Sequence, residues 1–392
     1  MGGRIMASTI NSSTSNGIVI TPDTSGEIEL QANGVTKAKV TANGLQDANG
    51  NSLRGGSFRN LIINGDMKID QRNAGSAVTS SGYTVDRFRV QNSTDGAFSV
   101  VQDTDVPSGQ GFINSLKYTV TTADTSLTTT QNTAIVQEIE GVNTTHLELG
   151  TANAKTFTIS FWVKSSLTGT FGGALRNQGN TKGYVYTYNV NSANTWEKKT
   201  ITIAGDTSGT WNTSTGIGIA VVFALGCGPD LSDTANTWYG ANKISATGAV
   251  ELIGTLNATW QITGVQLEVG EGASDFEFLP YDVQLQRCQR YFEIMGSSGS
   301  TNNAYAVCAV ITSTNTQGVI WFKTEKRATP TITATGTWYS LPQSITASPS
   351  FQIGDTFNAV IIQVWSGLTV GQASYLYDGG IGTSRILISA EL

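Results

Sequence analysis

Phe157-Thr158-Ile159-Ser160-Phe161-Trp162-Val163-Lys164 sets Ile159, Phe161 and Val163 on one side of the chain. Ser160, Trp162 and Lys164 fall on the other. A period of two belongs to a half-buried strand, because successive side chains of a strand point to opposite faces. Working outward from this stretch, comparable strands recur at Phe98 to Gln102, Leu116 to Thr121, Ile135 to Ile139, Tyr184 to Val190, Trp196 to Ile203, Gly218 to Leu225 and Trp260 to Val269. The segments between them carry Gly, Ser, Asn and Asp, and none shows a convincing 3.6-residue period. Many short strands without helices predict an all-β protein, and a length above two hundred residues predicts a jelly-roll β-sandwich with elaborated loops over residues 58–280.

Composition agrees. Charged residues are 13% of the 392, against roughly 25% in an ordinary soluble domain. There are 44 Gly and 7 Pro, a mixture suited to tight turns between strands. The formal net charge is −6, and no basic stripe marks a nucleic-acid face. The densest basic run, Lys323 to Arg327, is interrupted by Glu325 and reads as a solvated strand end. The longest apolar run, Ile219 to Leu225, is too short to span a bilayer, and the N-terminus lacks the pattern of a signal peptide. The expectation is a chain made and assembled inside a cell, with no nucleic-acid partner and no membrane insertion. Cys227, Cys288 and Cys308 form neither a disulfide framework nor a metal-spaced pair, and read as buried reduced thiols.

Residues 1–57 contain no aromatic residue. Short apolar stretches alternate with Asn-Gly at Asn16-Gly17, Asn33-Gly34, Asn43-Gly44 and Asn49-Gly50, a strong hairpin signal. Strands this thin cannot bury enough surface alone to offset chain entropy. The segment is therefore either a disordered tail or a fibrous β stem that shares its core with identical neighbours. The second reading implies a homotrimer whose N-terminal segment attaches to other proteins. At residues 281–295, Tyr281, Leu285, Cys288 and Phe292 fall at i, i+4, i+7 and i+11, which predicts one short connecting helix after Pro280, stopped by Gly296. Strand candidates return at Val307 to Ile311, Val319 to Lys323, Thr331 to Ala334, Ala359 to Trp365 and Arg385 to Ser389, giving a smaller C-terminal β-sandwich over 296–392.

The residues needed for catalysis are scarce. His146 is the only histidine, so any Ser-His-Asp or Cys-His arrangement would depend on it, and no Gly-x-Ser-x-Gly elbow accompanies it. No phosphate-binding loop occurs. Glu138 with Glu140, and Asp103 with Asp105, place two carboxyls at glycosidase spacing. Any i, i+2 pair on a strand does the same, so they read as solvated faces. No catalytic residue is assigned.

Aromatic side chains offer more. Tyr184, Tyr186 and Tyr188 share one strand face, and either pack the sandwich core or present flat rings to sugars. Trp162 stands among polar neighbours. It is a candidate for stacking on a sugar, or else covers a domain edge or subunit interface. Near the Gly- and Ser-rich loops of the last hundred residues lie Trp338, Tyr339, Trp365, Tyr375 and Tyr377, the candidates for receptor contact at a distal tip.

These segments also carry a resemblance. Phe58-Arg59-Asn60-Leu61-Ile62-Ile63-Asn64-Gly65-Asp66-Met67 with Gln71-Arg72 resembles the opening strand of many bacteriophage tail-fibre and tail-associated proteins. Tyr83-Thr84-Val85-Asp86-Arg87-Phe88, Ile159 to Ser165, Trp260 to Gly270, Phe278-Leu279-Pro280-Tyr281 and Gln286 to Phe292 are similar to their later segments, in the same order. The Asn-Gly-punctuated N-terminus is similar to repeats in marine and cyanobacterial phage fibres. The opening Asn-Leu-x-x-Asn-Gly-Asp also resembles jelly-roll carbohydrate-binding modules, which implies Asp66 and Glu268 as candidate calcium ligands. The closing strand lacks the acidic pair expected before Val265, so no metal or cofactor is assigned. The resemblance implies a non-enzymatic virion component, a tail fibre that binds a host-surface glycan. The alternatives are a glycan-degrading fibre, and a capsid-attached head fibre or decoration protein.

Overall fold

The computed structural model describes residues 27–41, 44–47, 58–296, 304–341, 345–346, 349–353, 355–364, 368–377 and 384–392. Three strands, β1 (Ile28–Ala32), β2 (Val35–Thr41) and β3 (Gly44–Asp47), form an antiparallel meander. Its first turn is Asn33-Gly34 with φ of +54° and +76°, the double left-handed turn that the sequence signals. Leu30, Val35, Val40 and Leu45 are all exposed on it. The other three Asn-Gly pairs include residues outside those described.

The body is a jelly-roll sandwich. One sheet runs β15 (Thr237–Tyr239), β11 (Gly183–Val190), β10 (Gly169–Arg176), β13 (Ile217–Cys227), β8 (Asn132–Glu140), β5 (Phe88–Asn92) and β4 (Gly82–Tyr83). The other runs β12 (Glu197–Ile203), β9 (Phe157–Ser165), β17 (Thr259–Val269), β7 (Ser115–Thr122) and β6 (Ala97–Asp103). Two dipeptides, β14 (Ser232–Asp233) and β16 (Ser245–Ala246), pair in parallel in the loop outside the first sheet. The inner faces meet over Phe157, Phe161, Tyr118, Trp260, Phe171, Tyr186 and Phe223, each wholly buried. All eight strands expected in residues 58–280 are present.

The opening segment Phe58 to Met67 is not a regular strand. Left-handed φ at Phe58, Asn64 and Met67 breaks it into turns. It is fastened along β17 instead. Asn60 donates to the Val265 carbonyl at 3.1 Å and accepts from the Leu267 amide at 3.0 Å. A side chain at Gly65 would strike the Val265 carbonyl oxygen, 2.1 Å from its Cβ position. This close backbone contact is the physical reason for glycine at position 65, while Asn64 holds the turn by donating to the Ile69 and Asp86 carbonyls at 2.8 and 2.9 Å.

The connecting helix is shorter than its periodicity predicts. α1 covers Tyr281–Gln289 and β18 (Phe292–Met295) follows at once. Phe292 is thus a strand residue, Tyr281 is exposed, and Gly296 follows the strand instead of ending the helix. β18 pairs with the last strand, β27 (Arg385–Ser389), which also pairs with β21 (Thr331–Thr335). The second sheet of this smaller sandwich runs β23 (Ile345–Thr346), β22 (Tyr339–Leu341), β26 (Ala373–Tyr377), β19 (Ala304–Thr312), β20 (Asn315–Trp321), β25 (Asn358–Val364) and β24 (Ser350–Ile353).

The chain end returns to the jelly roll. Glu391 pairs with Arg72 at 3.0 Å and with the buried Arg87. Glu140 accepts from Arg290 at 2.7 and 2.9 Å and from the Tyr291 hydroxyl at 2.8 Å. Glu138 and Glu140 are therefore buried ion-pair partners, and the expectation of a solvated face is corrected.

Candidate glycan-binding cleft

Strand pairing decides which side chains line the outer face of the five-stranded sheet. Lys198 lies opposite Trp162, and Thr200 opposite Ser160. By the same alternation Trp196, just before β12, stands beside Lys164. Lys164 and the Trp196 indole nitrogen both bond the Asp105 carboxylate, the latter at 3.1 Å, and the Lys164 ammonium lies 5.5 Å from the Trp196 ring centroid. Burial alone would raise the Asp105 carboxyl, but these two donors outweigh it and hold it below its ordinary value.

Two loops rise over this face. Phe112, Phe276 and Phe278 pack on one another with centroids 4.9–5.1 Å apart. β17 carries a register shift between Thr263 and Gln266. Gly264 in this bulge has φ +63°, and a Cβ there would lie 2.6 Å from the Phe112 ring and 3.1 Å from Trp162. The absence of a side chain at this point lets the loop and the tryptophan approach each other. The result is a cavity of about 280 Å³ lined by Trp162, Phe276, Phe278, Ser160, Lys198, Asp275, Gln110 and Gly109, among others. Apolar ring faces can lie against the C–H face of a sugar, while ammonium, carboxylate, amide and hydroxyl groups can exchange hydrogen bonds with its hydroxyls.

The remaining candidates fall elsewhere. Tyr184, Tyr186 and Tyr188 are buried, which resolves the tyrosine row in favour of the core. The Tyr186 hydroxyl donates to the Val222 carbonyl at 2.8 Å, and Tyr188 accepts from the Trp260 indole at 3.1 Å. Trp338 is also buried, 4.8 Å from Tyr305 in the smaller sandwich, so it offers no face to a receptor. Tyr339, Tyr375 and Tyr377 do form one cluster: Tyr377 lies 5.5 Å from Tyr339 and 5.7 Å from Tyr375, and Tyr375 is exposed. Trp365 lies outside the described residues.

The two calcium candidates are engaged by different protein donors. Gln284 bonds Asp66, with Lys68 at 3.4 Å. Glu268 accepts from the Ser274 amide and hydroxyl at 2.7–2.9 Å and from Gln266 at 2.8 Å. Among the described residues, no three His, Cys, Asp or Glu side chains gather as a metal site. His146 sits exposed in a 3₁₀ turn, Thr145–Leu147. No helix among the described residues is long and apolar enough to cross a membrane.

Sequence reasoning missed Trp196, Phe112, Phe276 and Phe278 as site residues. Trp196 was legible as the partner of Lys164 once β9 and β12 were paired. The phenylalanines carried one signal, large apolar residues inside Gly-, Ser- and Asp-rich loops.

No known protein family matches the chain, and no curated protein does. Thirty-two solved chains are similar to it. The enzymatically active domain of tailspike protein 4 from bacteriophage CBA120 is 14% identical over 54% of this chain and 21% of that one, with a TM-score of 0.30. This chain thus spans about a fifth of that protein's length. A putative sugar binding protein from Bacteroides thetaiotaomicron is 14% identical over 54% of this chain and 99% of that one, with a TM-score of 0.32. A family 11 carbohydrate-binding module from Clostridium thermocellum, in complex with a mixed-linked tetrasaccharide, is 14% identical over 48% of this chain and 91% of that one, with a TM-score of 0.25.

Proposed function

We propose that this chain is a non-enzymatic adhesive component of a bacteriophage virion, a tail fibre that holds a host-surface glycan in the Trp162 cleft. One observation carries the reading. The outer face of a sandwich sheet joins a half-buried indole, a phenylalanine wall and unlike polar groups in one cavity of about 280 Å³. The order of sequence motifs that resemble tail-associated proteins supports the virion assignment, as does the thin N-terminal meander. The same protein on a capsid would be a head fibre, with the same cleft.

Self-association is part of the reading. The outer face of the seven-stranded C-terminal sheet presents Val307 at 79% and Trp321 at 69% exposure, with Ile311, Val319 and Tyr375 also exposed. Register sets Tyr375, Val307 and Val319 side by side, and Val319 faces Val360. Exposed apolar sheet faces of several hundred Å² mark interaction surfaces, and no charged side chain lies on these four strands. An uncharged, flat face suits copies of itself, which favours the homotrimer.

The test is to screen the full-length protein on an array of bacterial capsule and lipopolysaccharide glycans, then assay each ligand for released reducing ends. Saturable binding without turnover supports the proposal. Turnover would make the chain a depolymerase, and absence of binding to every surface glycan would remove the adhesive reading. Light scattering should give about three times the mass of one chain; a stable monomer would exclude the trimer.

A further inference from the structure

A second cavity, of about 300 Å³, opens at the far side of the jelly roll, outside the seven-stranded sheet. It is lined by Arg176, Gln91, Asn92, Asn132 and Asn242, with Ser81 and Ser93 at its margin. Arg176 is the last residue of β10 and only 5% exposed. It donates to the Asn242 side-chain oxygen at 2.8 Å, while its Nε has no partner.

The charges around it do not balance. Arg89, Glu138 and Cys227 are the titratable groups that act on Arg176. Glu138 is already taken by Arg89 at 2.7 Å. Burial pushes the Cys227 thiol up to about 12, so it is neutral. Among the described residues no carboxylate lies within ion-pair distance of Arg176. Burial, with repulsion from Arg89, brings the guanidinium down to about 10, so it still carries its charge at neutral pH. A buried charge without a counter-ion is costly. The Arg176 Nε is closed off from solvent, so a ligand carboxylate would meet the guanidinium through its terminal nitrogens where it lines the cavity. Around it Gln91 donates to Asn132 at 2.7 Å and Asn92 to the Thr94 and Gly96 carbonyls at 3.3 Å, and the donor and acceptor capacity these amides and hydroxyls keep beyond those bonds suits sugar hydroxyls.

We infer that this cavity is a separate binding site for a single acidic sugar, whose carboxylate meets Arg176 and whose hydroxyls meet the amide rim. One unpaired cation favours a monoanion over a phosphate dianion. The site lies apart from the Trp162 cleft, so it stands or falls independently of the proposed function.

The probes are methyl β-glucuronoside, methyl β-glucoside, acetate and inorganic phosphate, titrated into the full-length protein by calorimetry and NMR. A charge-assisted pair contributes about tenfold or more in affinity. The glucuronoside should bind at least tenfold tighter than the glucoside, and acetate should compete. Arg176→Gln should abolish binding, and Arg176→Lys should weaken it. If Arg176→Gln does not fold, Asn242→Ala, altered on a half-buried loop, should weaken binding severalfold at an unchanged melting temperature. Trp162→Ala should leave it intact. Equal affinity for both glycosides, tighter binding of phosphate, loss on Trp162→Ala, or no saturable binding would each overturn the inference.

Discussion

Replacing Glu391 by Gln should loosen the return of the chain end onto the jelly roll. Glu391 is nearly buried and serves two guanidiniums, Arg72 at 3.0 Å and Arg87. Arg87 is 2% exposed, lies 3.7 Å over the Tyr291 ring, and has an Nε without a partner. Without the carboxylate its charge stays buried and uncompensated. Breaking one partner of a buried pair costs about 3–5 kcal/mol. At roughly 2–4 °C per kcal/mol for a domain of 150–250 residues, the melting temperature should fall by about 6 °C or more. Calorimetry of the full-length protein reads this directly. The double variant Arg87→Met with Glu391→Leu removes both charges and should recover most of the loss. A Glu391→Gln protein that melts within a degree or two of wild type would refute the reasoning, and so would a double variant less stable than the single.

Gly264→Ala should destabilise by about 1–2 kcal/mol through its left-handed φ alone, with a further loss as Phe112 is displaced; urea unfolding checks the first and glycan affinity the second. Burial raises the Asp86 carboxyl to about 7, against the bonds from Gln71 that lower it. The folded state then holds this proton more tightly than the unfolded, so stability should fall as pH rises from about 4 to about 7. Asp86→Asn should flatten that slope, and an unchanged pH profile would exclude the cause. Tyr186→Phe removes the bond to the Val222 carbonyl and should cost about 1 kcal/mol, with glycan affinity unchanged because the ring is in the core.

Strand alternation made the sandwich legible, because two-residue periodicity survives even where glycine and serine dilute the apolar face. The same periodicity could not rank the faces. Tyr184, Tyr186 and Tyr188 and the outward set at Trp162 read alike until pairing showed which side meets the other sheet. Trp338 failed for a related reason: an aromatic beside a glycine-rich loop is exposed only if no sheet covers it. Phe292 fitted a helical face at i+11, yet pairing with Ser389 in β27 made it a strand residue, a contact nearly a hundred residues away. The cleft was half legible. Trp162 and Ser160 came from one strand, but Phe112 and Phe276 arrive on loops whose approach depends on the bulge at Gly264.

The central claim is that the Trp162 cleft holds glycan. Its most direct test is the affinity of Trp162→Ala for a surface polysaccharide that the wild-type protein binds, measured together with the melting temperature. Loss of one stacking ring should weaken binding at least tenfold, about 1.4 kcal/mol or more. The half-buried indole packs beside Gly264, so its removal costs some stability, and binding is compared well below the melting temperature of the variant. Undiminished binding by the variant would contradict the account, as would a loss of binding matched by a loss of folding.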